Sequence, residues 1–130
     1  MRREIRPAMT RDEFDAFCAG LPRTTHVAQW GDASVWKIAA KVFAIGGWSD
    51  GPELAVTFKC SAMSYDLLRD HPGLRPAPYL ASRGLLWIQR TDTRSMNDAT
   101  LGDYLRASYA LVVAGLPKRR QGELSGRAPR

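Results

Sequence analysis

Two cysteines and two histidines are all the thiol and imidazole groups in this chain of 130 residues. Cys18, Cys60, His26 and His71 stand far apart, with no CxxC pair and no histidine at ligand spacing. Neither a zinc site nor a disulfide framework is therefore expected, and isolated thiols fit a reducing, cytoplasmic setting. No apolar run approaches the ~20 residues of a spanning helix, so no membrane association is expected. The basic opening "MRREIRPAM" lacks the apolar stretch that makes a secretory signal. "IGGW" at 45–48 has neither the lysine of a Walker motif nor a GxGxxG pattern, so no nucleotide cofactor is expected. The carboxylates are scattered and form no dense acidic ridge of the kind that would hold iron. Asp12, Glu13 and Asp15 fit the N-terminal dipole of a helix. A cysteine nucleophile would have to be Cys60 paired with His26 or His71. Cys60, where a strand passes into a capped helix, reads instead as a small buried residue. No enzyme is expected.

What the chain does have is positive charge, +6 in all. Residues 1–9 carry Arg2, Arg3 and Arg6 against Glu4, and residues 117–130 carry Lys118, Arg119, Arg120, Arg127 and Arg130 against Glu123. Residues 10–116 hold equal numbers of basic and acidic side chains. The excess lies in the ends, which attract phosphate without defining a binding domain.

A chain of this length is one domain with one core. Thr10 and Glu13 form a capping-box signature, with Met9 placed to staple against Phe14. Phe14, Phe17, Cys18 and Leu21 line one helix face, and Gly20 and Pro22 end it. From His26 to Lys59 the period changes to two. "THVAQW" reads as a strand, followed by strands 35–38 and 42–46 around a turn at Ala39-Ala40-Lys41. Trp36 and Ile38 point one way, Val35 and Lys37 the other. "ELAVTFK" follows, with Leu54, Val56 and Phe58 on one side and Ala55, Thr57 and Lys59 on the other. Ser61 caps a helix over 62–70, with Met63, Leu67 and Leu68 facing inward, and His71-Pro72-Gly73 stops it. "RPAPYL" reads as a rigid, irregular loop with Tyr79 and Leu80 pinned to the core. "GLLWIQR" is a strand carrying a buried Trp87, with Arg83 exposed near its start. Asn97 or Asp98 opens the last helix, where Leu101, Leu105, Ser108, Val112 and Leu116 recur at helical spacing. "KRRQGELSGRAPR" reads as a solvated tail. The order helix, strands, helix, strand, helix gives an α+β fold: a two-layer antiparallel β-sheet with helices packed on one face.

Trp30, Trp36, Trp48 and Trp87 all fall in or beside strands, where tryptophan usually packs. Lys37, Lys41 and Lys59 lie on or at the ends of neighbouring strands, and Arg83 and Arg90 flank another. If Lys37, Lys59 and Arg90 share a face, they make a basic stripe. The alternative is a solvated face of mixed charge.

"QWGDASVWKIAAKVFAI" at 29–45, "FKC" at 58–60, "HPGLRPAPYL" at 71–80 and "LPK" at 116–118 together resemble the MmcQ/YjbR-like family of small bacterial proteins. The resemblance spans about residues 10–120. It implies a fold also similar to frataxin-like and secretion-chaperone-like domains, and a DNA-binding role through a double wing of β-hairpins. Many relatives carry an Asn-Lys-x-His-Trp run after the Tyr-Leu, whereas Ala81-Ser82-Arg83-Gly84-Leu85 stands here, so nothing assigned to the His-Trp pair transfers. The resulting expectation is a single domain over 9–117, with a flexible basic extension over 1–8 and a basic tail over 118–130. It contacts DNA phosphates through Lys37, Lys41, Lys59, Arg83, Arg90, Lys118, Arg119 and Arg120. The alternative is a non-enzymatic adaptor that binds a protein or peptide on a chaperone-like sheet.

Overall fold

The computed structural model describes residues 8–80 and 84–124. Among these residues six strands form one antiparallel sheet in the order β1-β2-β3-β4-β6-β5. They are β1 (Thr24–Gln29), β2 (Ala33–Ile38), β3 (Lys41–Gly46), β4 (Val56–Lys59), β5 (Leu74–Pro76) and β6 (Trp87–Arg90). The helices are α1 (Arg11–Ala19), α2 (Ala62–Leu68), α3 (Asp98–Ala114) and α4 (Lys118–Leu124). Among the described residues no helix is long and apolar enough to cross a membrane.

Each of the first three helices starts where a side chain satisfies free backbone N–H groups. Thr10 and Glu13 close the capping box on α1, Ser61 accepts from Ser64 N–H, and Asn97 accepts from Thr100 N–H. Met9 and Phe14 are buried in the same cluster. The alternation of β2 and β4 sends Trp36, Ile38, Val56 and Phe58 toward the helices, joined by Ile88 of β6 and by Leu101, Leu105 and Val112 of α3. A bulge shifts the β2–β3 register between Trp36 and Lys37, and both Phe43 and Ala44 join this core.

The far face carries one row of paired residues across the whole sheet: Val27, Val35, Ile45, Thr57, Gln89 and Arg75. Its middle is dry because Trp48 and Leu80 pack over Ala33, Val35 and Ile45. Trp87 lies on this face by alternation with Gln89 and is 9% exposed, as a strand buried on both sides requires.

One junction in the sheet is not closed by backbone alone. The Lys59 N–H donates to Ser108 Oγ at 2.9 Å, and the same hydroxyl donates to the Phe43 carbonyl at 2.7 Å. A helix serine thus bridges β3 and β4, which is why a polar residue occupies a fully buried position in the apolar stripe of α3.

Several expectations change. The loop before Tyr79 contains the edge strand β5; Pro76 is tolerated there because it ends the strand. Met63 and Leu67 are 82% and 63% exposed, and Leu68 alone of the three is buried: α2 meets the core through Leu68 and Tyr65 instead. The supposed tail is helical through Leu124. Pro117 both ends α3 and opens α4, its carbonyl accepting Gln121 N–H while Gln121 Nε2 donates back to Leu116 O. Leu124 then packs against the core. The extension expected over 1–8 begins to be described at Ala8, which is buried.

Candidate functional site

Strand directions bring three of the sequence-predicted cations to one end of the sheet. The antiparallel register sets the start of β1 beside the end of β2, the start of β3 and the end of β4. That end holds Arg23, Lys37, Lys41 and Lys59. Lys37 and Lys59 both project from the far face two strand spacings apart, about 10 Å. Lys41 follows the two-residue turn Ala39-Ala40, whose residues both adopt left-handed backbone, φ 51° and 65°. This is a type I′ hairpin built without glycine or asparagine. Arg23 lies near Tyr109, whose hydroxyl donates to Pro22 O at 2.6 Å. Burial raises the Tyr109 pKa and the Arg23 charge opposes that shift.

The helix α3 runs toward the same end. Its first residue, Asp98, meets Arg90 and Met9 at the opposite edge, Ser108 meets Phe43 and Lys59, and Tyr109 reaches Pro22. Lys118 and Arg119, exposed at the start of α4, therefore follow at the basic end. Arg120 pairs with Glu123 at 2.7 Å. Among the described residues none of Arg23, Lys37, Lys41, Lys59, Lys118 and Arg119 is in an ion pair.

Arg90 does not join this set. It faces the helices, is 0% exposed, binds Asp98 at 2.9 Å and donates to Met96 O at 3.1 Å. The expected stripe of Lys37, Lys59 and Arg90 fails because position 90 falls on the opposite face from 37 and 59. Arg83 lies outside the described residues.

Sequence reasoning missed two clusters because each joins distant segments. In the first, Ser34 Oγ–H and Trp36 Nε1–H both donate to Asp15 Oδ1, the indole at 2.8 Å. With its proton so committed, Ser34 Oγ accepts from His26 Nε2–H at 2.7 Å. His, Ser and Asp are adjacent, yet the order is not that of a nucleophilic triad. The serine proton points at the carboxylate, and Ser34 is 0% exposed. The cluster fastens β1 and β2 to α1. Cys60 also lacks an activating setting, since burial pushes its thiol up to about 11. Among the described residues no group of three or more His, Cys, Asp or Glu gathers to hold a metal ion.

The second cluster lies at the opposite end of the far face. Trp30, Trp48, Tyr79 and Leu80 line a hollow of about 480 Å³. Trp48 Nε1–H donates to Trp30 O at 3.1 Å, and the Trp48 ring lies 6.1 Å from that of Trp30 and 5.6 Å from that of Tyr79. Trp30 is 51% and Tyr79 74% exposed. Tyr79 was expected to pin its loop to the core. Its left-handed backbone, φ 68°, accompanies a ring set against Trp48 at the surface, and Leu80 does the pinning. Beside the hollow, Arg75 binds Asp50 at 2.9 Å and Gln89 at 2.7 Å.

An antiparallel six-stranded sheet with helices on one face defines an α+β domain of the YjbR-like type. The YjbR family model matches residues 19–111, and the chain belongs to this family. The crystal structure of Deinococcus radiodurans protein DR2400, described as family-model domain DUF419, is similar. It shows a TM-score of 0.78 at 25% identity, over 92% of this chain and 91% of that one. No curated protein matches.

Proposed function

We propose that this chain is a non-enzymatic, cytoplasmic DNA-binding domain that holds phosphates with the basic end of its sheet. The observation that carries the reading is the convergence of Arg23, Lys37, Lys41 and Lys59 at four adjoining strand ends, with no ion pair to any of them among the described residues. Clustered cations without counter-charge are the electrostatic footprint of phosphate recognition. They explain how a domain whose middle is neutral overall can still present a positive surface. Lys118 and Arg119 extend that surface, Arg120 does so less because Glu123 engages it, and Arg90 serves the fold instead.

The test is binding of the full chain to a labelled DNA duplex across a salt series. Each phosphate contact contributes about 0.9 to the slope of log K against log salt. Lys37→Ala, Lys41→Ala and Lys59→Ala combined should flatten the slope by between about one and three. A triple variant with unchanged affinity and slope, or a wild-type chain that fails to bind at low salt, refutes the proposal.

A protein-binding adaptor is the second reading. It is favoured by the exposed Met63 and Leu67 on α2, near an apolar hollow of about 410 Å³ lined in part by Cys60, Ser64, Ala107 and Ala110. Capture of a partner from native lysate that survives nuclease treatment, and is lost on Met63→Lys, would support it over DNA.

A further inference from the structure

We propose that Trp30, Trp48 and Tyr79 form an aromatic cage for a methylated ammonium group. The site is separate from the basic end: Ala33, beside the hollow, and Lys37 are four residues apart on β2, about 13 Å.

The hollow forms where the turn Trp30-Gly31-Asp32, between β1 and β2, meets the segment Trp48-Ser49-Asp50 that follows β3. Trp30, Trp48 and Tyr79 all hold left-handed backbone, at φ 55°, 60° and 68°. That region is costly for bulky side chains, and such strain gathers where surrounding structure fixes a functional geometry. The hydrogen bond from the Trp48 indole to the Trp30 carbonyl ties the two segments together and satisfies the only polar atom of the Trp48 ring. Trp48 packs over Ala33, Val35 and Ile45 and lines the hollow with the rest of its ring. The three rings are not parallel: Trp30 and Trp48 meet at 35°, and Trp48 and Tyr79 at 79°. Trp48 is the ring that both exposed rings approach, and all three line the same hollow. A collapsed apolar cluster would hide those rings, whereas Trp30 and Tyr79 stay half or more in solvent.

Ring faces are negative, so a cavity bounded by them favours positive charge. Asp50 adds a carboxylate beside the hollow, in a neighbouring recess that Trp48 and Tyr79 also line, where Arg75 holds it at 2.9 Å. A bare ammonium is strongly hydrated and holds its water in so open a hollow. N-methyl groups shed water against the rings while the charge stays in reach, which selects the methylated form.

The experiment follows the tryptophan indole N–H resonances and fluorescence of the full chain during three titrations. The probes are choline, a short peptide bearing trimethyllysine, and 3,3-dimethylbutanol, which has the shape of choline without its charge. Both cations should shift the Trp30 and Trp48 signals, with the neutral analogue at least about tenfold weaker. Trp30→Ala and Tyr79→Ala should each weaken cation binding by about tenfold, and Tyr79→Phe should keep it. A peptide much tighter than choline identifies a protein tail as the source, and equal affinities identify a free small cation. Both outcomes support the cage. Tyr79 is exposed enough that its variants will fold, and a thermal melt checks this. Equal binding of the neutral analogue, indifference to Trp30→Ala and Tyr79→Ala, or no indole shift with either cation overturns the proposal. None of these results bears on the lysine salt series.

Discussion

Removing either half of the Arg90–Asp98 pair should cost very different amounts. The Arg90 guanidinium is 0% exposed, while the Asp98 side chain is 34% exposed. In Asp98→Ala the guanidinium keeps the Met96 carbonyl at 3.1 Å but loses its counter-charge in a place water does not reach. Breaking a buried pair this way costs about 3–5 kcal/mol. Met9 N–H also loses its acceptor at 3.2 Å, which adds about 1 kcal/mol and loosens the entry to α1. In Arg90→Met the carboxylate left behind has water on one side, still accepts from Met9 N–H, and sits in the first turn of α3, where the helix dipole favours it. The methionine fills much of the arginine stem's volume. That variant should lose about 1–2 kcal/mol, since the charge it strands is partly solvated rather than buried. Urea unfolding at neutral pH measures both. With a slope of about 1–3 kcal/mol per molar, Asp98→Ala should move the midpoint down by well over 1 M and Arg90→Met by less. If Arg90→Met proves the more damaging, the asymmetry argued from burial is wrong, and if Asp98→Ala costs under about 1 kcal/mol, the buried guanidinium does not depend on this pair. Arg90→Met should also leave the salt slope of DNA binding untouched.

Two further outcomes follow from local geometry. Ala39 and Ala40 both occupy left-handed backbone, where an L-residue with a Cβ is disfavoured by roughly 1–2 kcal/mol. Ala39→Asn with Ala40→Gly should therefore raise stability by about 1–2 kcal/mol in urea unfolding, and a loss would show the turn is not type I′. Cys60 has its pKa raised by burial from 9.0 to about 11. The native state thus favours the neutral thiol, and stability present below pH 9 is lost as pH rises toward 11. Cys60→Ser, which does not ionise there, should show a shallower decline across that window.

Much of the architecture is written in local patterns. The Thr10–Glu13 box and the caps at Ser61 and Asn97 mark helix starts, and the alternation around Trp36 and Phe58 assigns faces correctly. Failures arise where the deciding partner is remote. The spacing of Met63 and Leu67 defines a stripe on α2, but only the position of β5 and β6 decides which side of that helix is covered. The polar run after Pro117 reads as tail because Leu124 is its lone apolar anchor. Arg90 has the sequence appearance of a strand-end cation, and its burial depends on Asp98 arriving at the start of a later helix. The lysines at the hairpin end were legible because alternation alone places them. The aromatic hollow was not, since it joins residues 30, 48 and 79 through backbone conformations that sequence patterns disfavour for bulky rings.

The hydroxyl of Ser108 also ties one link of the sheet to a part of the chain that is synthesised much later. The meander of β1, β2 and β3 is joined by short turns and needs nothing from the rest of the chain to pair. The junction to β4 is different, because Lys59 N–H and Phe43 O meet through a side chain 49 and 65 residues further along. Contacts of such long separation form late. A chain leaving the ribosome from its N-terminus would present a half-sheet with an unfinished edge until α3 has emerged. Docking of that helix closes the last link between β3 and β4.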